Sequence, residues 1–114
     1  MEFGARRAHG VDAAVLGARA SIIGGAIGTS CTYCAEKFGV PASGTMAHSF
    51  IQSFSSEYEA FKTYAEIYPN DCTLLIDTYD TLKSGLPNAI AVFNEILTPM
   101  GIRPKAVRLD LSLI

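Results

Sequence analysis

The residues best equipped for chemistry lie in Ser43-Gly44-Thr45-Met46-Ala47-His48-Ser49, a turn that leads into the first turn of a helix. A helix start presents unpaired backbone N–H groups and partial positive charge, which suits a phosphate or a carboxylate. A histidine there, with the hydroxyls of Thr45 and Ser49 beside it, is placed to meet an anion. Other stretches also close apolar runs with polar or charged groups. They are Asp77-Thr78-Tyr79-Asp80, Arg108-Leu109-Asp110, Gly28-Thr29-Ser30, and Glu2-Phe3-Gly4 with Arg6 just beyond. In parallel α/β folds chemistry collects at the carboxyl ends of strands, so these ends would share one rim. Such a set suits a doubly anionic ligand. Arginines grip the anion, while carboxylates hold ribose hydroxyls or a Mg2+ that carries phosphate.

Cys31-Thr32-Tyr33-Cys34 is a second motif. One reading is a thioredoxin-like dithiol at a helix start, although the residues between the cysteines differ from the usual Gly-Pro or Pro-His. The other is a pair of ordinary core cysteines on one helix face. A zinc site would need a second pair, and Cys72 is single.

The elements that must hold these residues follow from the apolar spacing. Residues 11–23 carry Val11, Ala14, Val15, Ala18 and Ile22 at helical spacing, and the abundance of Ala and Gly predicts close packing. Gly24-Gly25-Ala26-Ile27-Gly28 allows tight backbone approach, and Thr29 or Ser30 is the expected cap of a helix over residues 31–38 ended by Gly39. Residues 40–42 read as a short strand. Ser55 or Ser56 opens an amphipathic helix with Tyr58, Phe61, Tyr64, Ala65 and Ile67, closed by Pro69-Asn70. The apolar run over residues 72–77 predicts a strand buried on both faces, residues 78–85 a loop, residues 86–100 a helix and residues 106–110 another short strand. Short strands alternating with helices predict an α/β fold with a parallel sheet.

At 114 residues the chain has room for one small domain, and no linker or repeat divides it. Its 49% hydrophobic and 18% charged residues mark a folded chain. A net charge of −2 and no basic run argue against nucleic acid or an anionic membrane surface as partner. The apolar stretch over residues 11–34 is interrupted by Asp12, Arg19 and several glycines, a poor pattern for a bilayer span. With three cysteines and no framework spacing, reduced thiols and a cytoplasmic location are expected.

Taken together, residues 2–8, 28–30, 43–50, 75–81 and 107–110 resemble successive motifs of the nicotinate phosphoribosyltransferase family, in order and spacing along almost the whole chain. The resemblance implies joining nicotinate to the ribose of phosphoribosyl pyrophosphate, giving nicotinate mononucleotide and pyrophosphate for NAD biosynthesis. It also implies ATP as co-substrate through a phosphohistidine, and His48 matches that histidine. Phe3 matches an aromatic that stacks on the pyridine ring, and Arg6 and Arg108 match arginines near the nicotinate and phosphate groups. Asp77, Thr78 and Asp110 match positions facing the ribose, the phosphates or their Mg2+. Ser30 falls where related nicotinamide enzymes carry an aspartate, and a neutral hydroxyl suits a carboxylate ligand better than an acid would. The implied fold is an irregular parallel α/β, TIM-like barrel of the type II phosphoribosyltransferase kind, with an additional domain, in a homodimer whose sites include residues from the partner.

Two departures qualify what is implied. The family continues Arg-Leu-Asp with Ser-Gly-Asp, whereas Leu111-Ser112-Leu113-Ile114 follows here. Family members are also several times longer, so residues 1–114 are expected to form a single partial domain, a fragment of the barrel. Such a piece would leave strand edges and apolar helix faces open. The expectation is therefore aggregation and no turnover when the chain is expressed alone; a catalytically inactive remnant that only binds phosphate or pairs with the rest of a barrel is the alternative.

Overall fold

In the computed structural model of the chain, residues 1–110 are described; the Leu111-Ser112-Leu113-Ile114 ending lies outside them. The chain divides into two compact units, the first spanning Met1–Gly44 and the second beginning at Thr45.

The first unit is built on three segments brought side by side in parallel. Glu2 pairs with Thr29, and Thr29 pairs with Ala42. The Glu2 N–H donates to the Gly28 carbonyl at 3.0 Å, the Ser30 N–H to the Glu2 carbonyl at 3.0 Å, and the Thr29 N–H to the Pro41 carbonyl at 3.1 Å. Gly28 makes this spacing possible, because a Cβ there would stand 2.8 Å from the Pro41 oxygen. Thr29 is fully buried, and its hydroxyl donates to the Glu2 carboxylate at 2.6 Å. The second Glu2 carboxylate oxygen takes the Gly4 N–H. A short 3-10 turn, Ala5–Arg7, leads to helix α1, Val11–Ile23. The apolar spacing placed α1 correctly, but of its residues only Ala18 is buried, while Val11, Leu16 and Ile23 are exposed. Helix α2 is Thr32–Phe38 and closes on Gly39, whose φ of 63° is the left-handed form that glycine adopts without strain. Its cap differs from expectation: neither Thr29 nor Ser30 but the Cys31 sulfur accepts the Cys34 N–H, at 3.4 Å.

The second unit carries the larger apolar core. Helix α3 is the single-turn His48–Gln52, and α4 is Glu57–Ile67, capped by Ser56, whose hydroxyl accepts the Glu59 N–H. Ile51, Ala60, Phe61 and Ala65 pack with Leu74, Leu75, Ala89, Val92 and Leu97; each large side chain so buried contributes roughly 1.5–3 kcal/mol. Strand β1, Thr73–Leu75, pairs in parallel with β2, Ala106–Arg108, with Thr73 opposite Ala106 and Leu75 opposite Arg108. Both strands are shorter than the apolar runs suggested. β1 is buried as expected, whereas Ala106 and Val107 of β2 are exposed.

Between the strands the chain departs from the sequence reading. Residues 78–85 are not all loop: Thr81–Gly85 is a π-helical turn. It runs straight into α5, Leu86–Val92, and a second π-helical turn, Phe93–Leu97. Asp80 caps the start, its carboxylate accepting the Leu82 and Lys83 N–H groups at 3.1 and 2.8 Å. Among the described residues no helix is long and apolar enough to cross a membrane.

Candidate functional site

The second unit gathers six of the residues singled out in the sequence around His48. β1 and β2 run in the same direction, so their carboxyl ends, leading to Asp77 and Asp110, open side by side. The Asp110 N–H donates to Asp77 Oδ2 at 2.8 Å, which locks the two strand ends together. α3 begins at His48, with Ala47 extended before it, and its imidazole reaches both ends.

The two ring nitrogens meet different chemistry. His48 Nδ1 lies 2.9 Å from the Thr78 hydroxyl. His48 Nε2 lies 3.5 Å from Asp110 Oδ2 and 3.9 Å from Asp77 Oδ1. The imidazole is 40% exposed, so it is reachable from solvent, while the Asp77 side chain is 2% exposed. One tautomer carries its proton on Nε2, on the side of the carboxylates, and accepts the Thr78 hydroxyl at Nδ1. The opposite tautomer donates from Nδ1 to Thr78 and leaves the Nε2 lone pair on the side of the two carboxylates.

Arg108 completes the cluster. Its Nη2 lies 3.6 Å from Asp110 Oδ2, and its Nη1 donates to the Thr45 hydroxyl. Thr45, at the start of the unit, is thereby tied to the end of β2, and the guanidinium supplies the cation that the carboxylate pair needs. Ser49 is exposed on α3.

Asp77 Oδ1 is buried and accepts no hydrogen bond from the described residues. A buried carboxylate oxygen in that state favours a cation or a donor from a ligand. Among the described residues no group of three or more His, Cys, Asp or Glu side chains could hold a metal ion, so a dedicated protein cage is absent. Asp77 and Asp110 instead fit Mg2+, which takes one or two carboxylates and completes its shell with water and phosphate.

Phe3, Arg6 and Ser30 belong to the first unit. Phe3 lies between the Glu2 and Gly4 anchors, half-buried, and Arg6 is exposed on the 3-10 turn. Ser30 is exposed one residue beyond the buried Thr29, its N–H held by the Glu2 carbonyl. The sequence offered Glu2-Phe3-Gly4 as one of the polar strand ends; the Glu2 carboxylate is a buried tie between Gly4 and Thr29.

The chain resembles known proteins over most of its length. A sequence model of the Nicotinate phosphoribosyltransferase (NAPRTase) family matches residues 1–105. A nicotinate phosphoribosyltransferase of Bacillus subtilis is 52% identical over 106 residues, covering 90% of this chain and 21% of that protein. The nicotinate phosphoribosyltransferase pncB2 of Mycobacterium tuberculosis is 49% identical over 110 residues, covering 96% of this chain and 23% of its own. Among solved structures, human nicotinic acid phosphoribosyltransferase superposes with a TM-score of 0.80 at 29% identity, covering 94% of this chain and 30% of that one. The chain thus spans between about a fifth and a third of the length of these relatives.

Proposed function

The chain belongs to the nicotinate phosphoribosyltransferase family, and on that premise we propose that it is the segment of such an enzyme that carries the phosphate-accepting histidine. In the parent reaction nicotinate and phosphoribosyl pyrophosphate give nicotinate mononucleotide and pyrophosphate, with ATP hydrolysis coupled through His48. One observation carries the reading: the two nitrogens of His48 are met separately, Nδ1 by the Thr78 hydroxyl and Nε2 by two carboxylates. That division supports a histidine whose tautomer is under control.

The roles follow from the contacts. When Nδ1 keeps its proton and donates it to Thr78, the Nε2 lone pair is free to attack the terminal phosphorus of ATP. The N–P bond forms as the bond from that phosphorus to the oxygen of ADP breaks, and ADP leaves with the electron pair. Thr78 is then the acceptor that holds the ring in the reactive tautomer and orients it. Asp77 and Asp110 would hold a Mg2+ carried in with the phosphates, and that ion would supply positive charge against the transferring phosphate. Arg108, braced by Thr45 and Asp110, takes part of the phosphate charge. Ser49 adds a hydroxyl donor at the exposed edge of α3. Phe3 and Arg6 would receive the pyridine ring and its carboxylate, and Ser30 favours the acid over the amide.

In the parent protein the segment forms part of an irregular parallel α/β barrel, in a cytoplasmic homodimer. The parallel pairing in both units supports the barrel. The test places residues 1–110 in the corresponding stretch of the Bacillus subtilis relative and follows acid-labile label transferred from γ-labelled ATP. Label on His48 and none in His48→Ala is the expected result; equal labelling of the two refutes the phosphohistidine role.

A further inference from the structure

The Cys-x-x-Cys motif has no place in the chemistry of His48, and its geometry is that of a poised pair. Cys31 stands outside α2, with an extended backbone of φ −81° and ψ 101°. Its sulfur folds back over the first turn and takes the Cys34 N–H at 3.4 Å, where a hydroxyl would ordinarily cap the helix. The backbone bond from the Ala35 N–H to the Cys31 carbonyl, 2.9 Å, holds the turn closed. Cys31 is half-buried and so reachable, while Cys34 is fully buried. A disulfide needs the two Cβ atoms at roughly 3.5–4.5 Å. Cys31 is the residue able to adjust, because only its carbonyl belongs to the helical hydrogen bonds, while its N–H is held outside the helix by the Thr29 hydroxyl.

We propose that Cys31 and Cys34 are a redox-active dithiol, a modification site that exchanges with low-molecular-weight disulfides and closes into an internal disulfide. The Cys31 thiolate attacks one sulfur of the disulfide RSSR, forming Cys31–S–S–R and releasing RS−. The Cys34 thiolate then attacks the Cys31 sulfur, closing the Cys31–Cys34 bond and releasing the second RS−. Two electrons pass from the dithiol to RSSR, and the two thiol protons end on two RSH.

The environment of Cys34 gives this order of events. Its thiol is pushed up to about 11, first by its hydrogen bond with Cys31, then by burial and by the charge on Cys31. The first and third of these causes disappear once Cys31 is joined to R, so Cys34 becomes easier to ionise at the step that uses it. The movement is also connected to its neighbours. The Cys31 N–H donates to the Thr29 hydroxyl at 3.0 Å, and that hydroxyl donates to Glu2, so the turn bearing Ser30 is held between anchors the disulfide would pull on. The dithiol does not depend on what Ser30 binds.

The test uses the chain carried in the Bacillus subtilis relative, as for His48, in mixtures of oxidised and reduced glutathione, with the free thiols then trapped by alkylation in acid and the peptides mapped by mass. Cys72, fully buried in the second unit, is the internal control. The expected wild-type product is the Cys31–Cys34 disulfide, with Cys72 free and a two-electron dependence on the glutathione ratio. Cys34→Ala and Cys34→Ser should both stop at a glutathione mixed disulfide on Cys31, and Cys31→Ser should leave Cys34 reduced under the same conditions; far-UV circular dichroism confirms that each variant is folded. A wild-type chain that stops at the mixed disulfide, that joins to a second chain, or that keeps both thiols free at every ratio overturns the proposal. So does a Cys31→Ser variant in which Cys34 reacts as fast as in the wild type.

Discussion

Replacing Gly85 by alanine should damage both the stability and the site of the second unit, for a reason visible only in three dimensions. The Gly85 backbone is right-handed helical, with φ −58° and ψ −54°, so on conformational grounds alone alanine is the better residue by up to about 1 kcal/mol. An added Cβ, however, would lie 1.8 Å from the Ile76 carbonyl oxygen, 2.7 Å from its carbon and 3.0 Å from its Cα. All three are backbone atoms and no rotamer can relieve the clash. Ordinary contact begins near 3.4 Å, so the π turn must retreat from the end of β1 by roughly 1.5 Å. Overpacking costs about 1–3 kcal/mol, and a backbone neighbour puts this case at the upper end. Offset by the helical gain, the net loss is about 2 kcal/mol. With a urea slope of about 1–3 kcal/mol per molar, the denaturation midpoint should fall by about 1 M. Ile76 precedes Asp77 and Thr78, so labelling of His48 should fall as well. An unchanged or raised midpoint would refute the reasoning.

Further expectations follow from the same geometry. Thr78→Val removes the hydroxyl at His48 Nδ1 while keeping the volume, so His48 labelling from ATP should slow by about 10–100-fold with the urea midpoint nearly unchanged; a wild-type rate would remove Thr78 from the tautomer argument. Burial pushes the Cys72 thiol from 9.0 up to about 11. The folded chain then holds that proton more tightly than the unfolded one, so the contribution is complete below about pH 9 and lost as pH rises toward 11. Cys34 acts in the same direction. The urea midpoint should therefore drop across that alkaline window, and Cys72→Ala should flatten the drop; an identical slope in the variant would contradict it.

What could be read from the residues was the local grammar. The spacing of Val11, Ala14, Val15, Ala18 and Ile22 placed α1, and Gly39 marked the end of α2 because only one backbone form stops a helix that way. His48 and its two carboxylates were legible because parallel strands deliver their carboxyl ends to the same side. The π turn at Thr81–Gly85 was not. Ser84 and Gly85 look like loop residues, yet Gly85 is there because the Ile76 carbonyl passes against it. The Cys31 cap was missed because sulfur so seldom fills a role hydroxyls dominate. Exposure of Ala106 and Val107 was equally hidden, since an apolar run looks the same whether or not a neighbour covers it.

The parallel pairing of β1 with β2 also sets how the second unit must come together. Thr73 meets Ala106 only after the whole helical stretch between them has been traversed. No hairpin turn can align them, and the loop-closure entropy falls due before any ladder bond forms. The continuous helical run from Thr81 to Leu97, packed by Ala89, Val92 and Leu97 on Phe61 and Leu74, is what shortens that search. The Asp77–Asp110 junction is thus expected to form late, and the cluster around His48 should be among the slower parts of the unit to reappear on refolding.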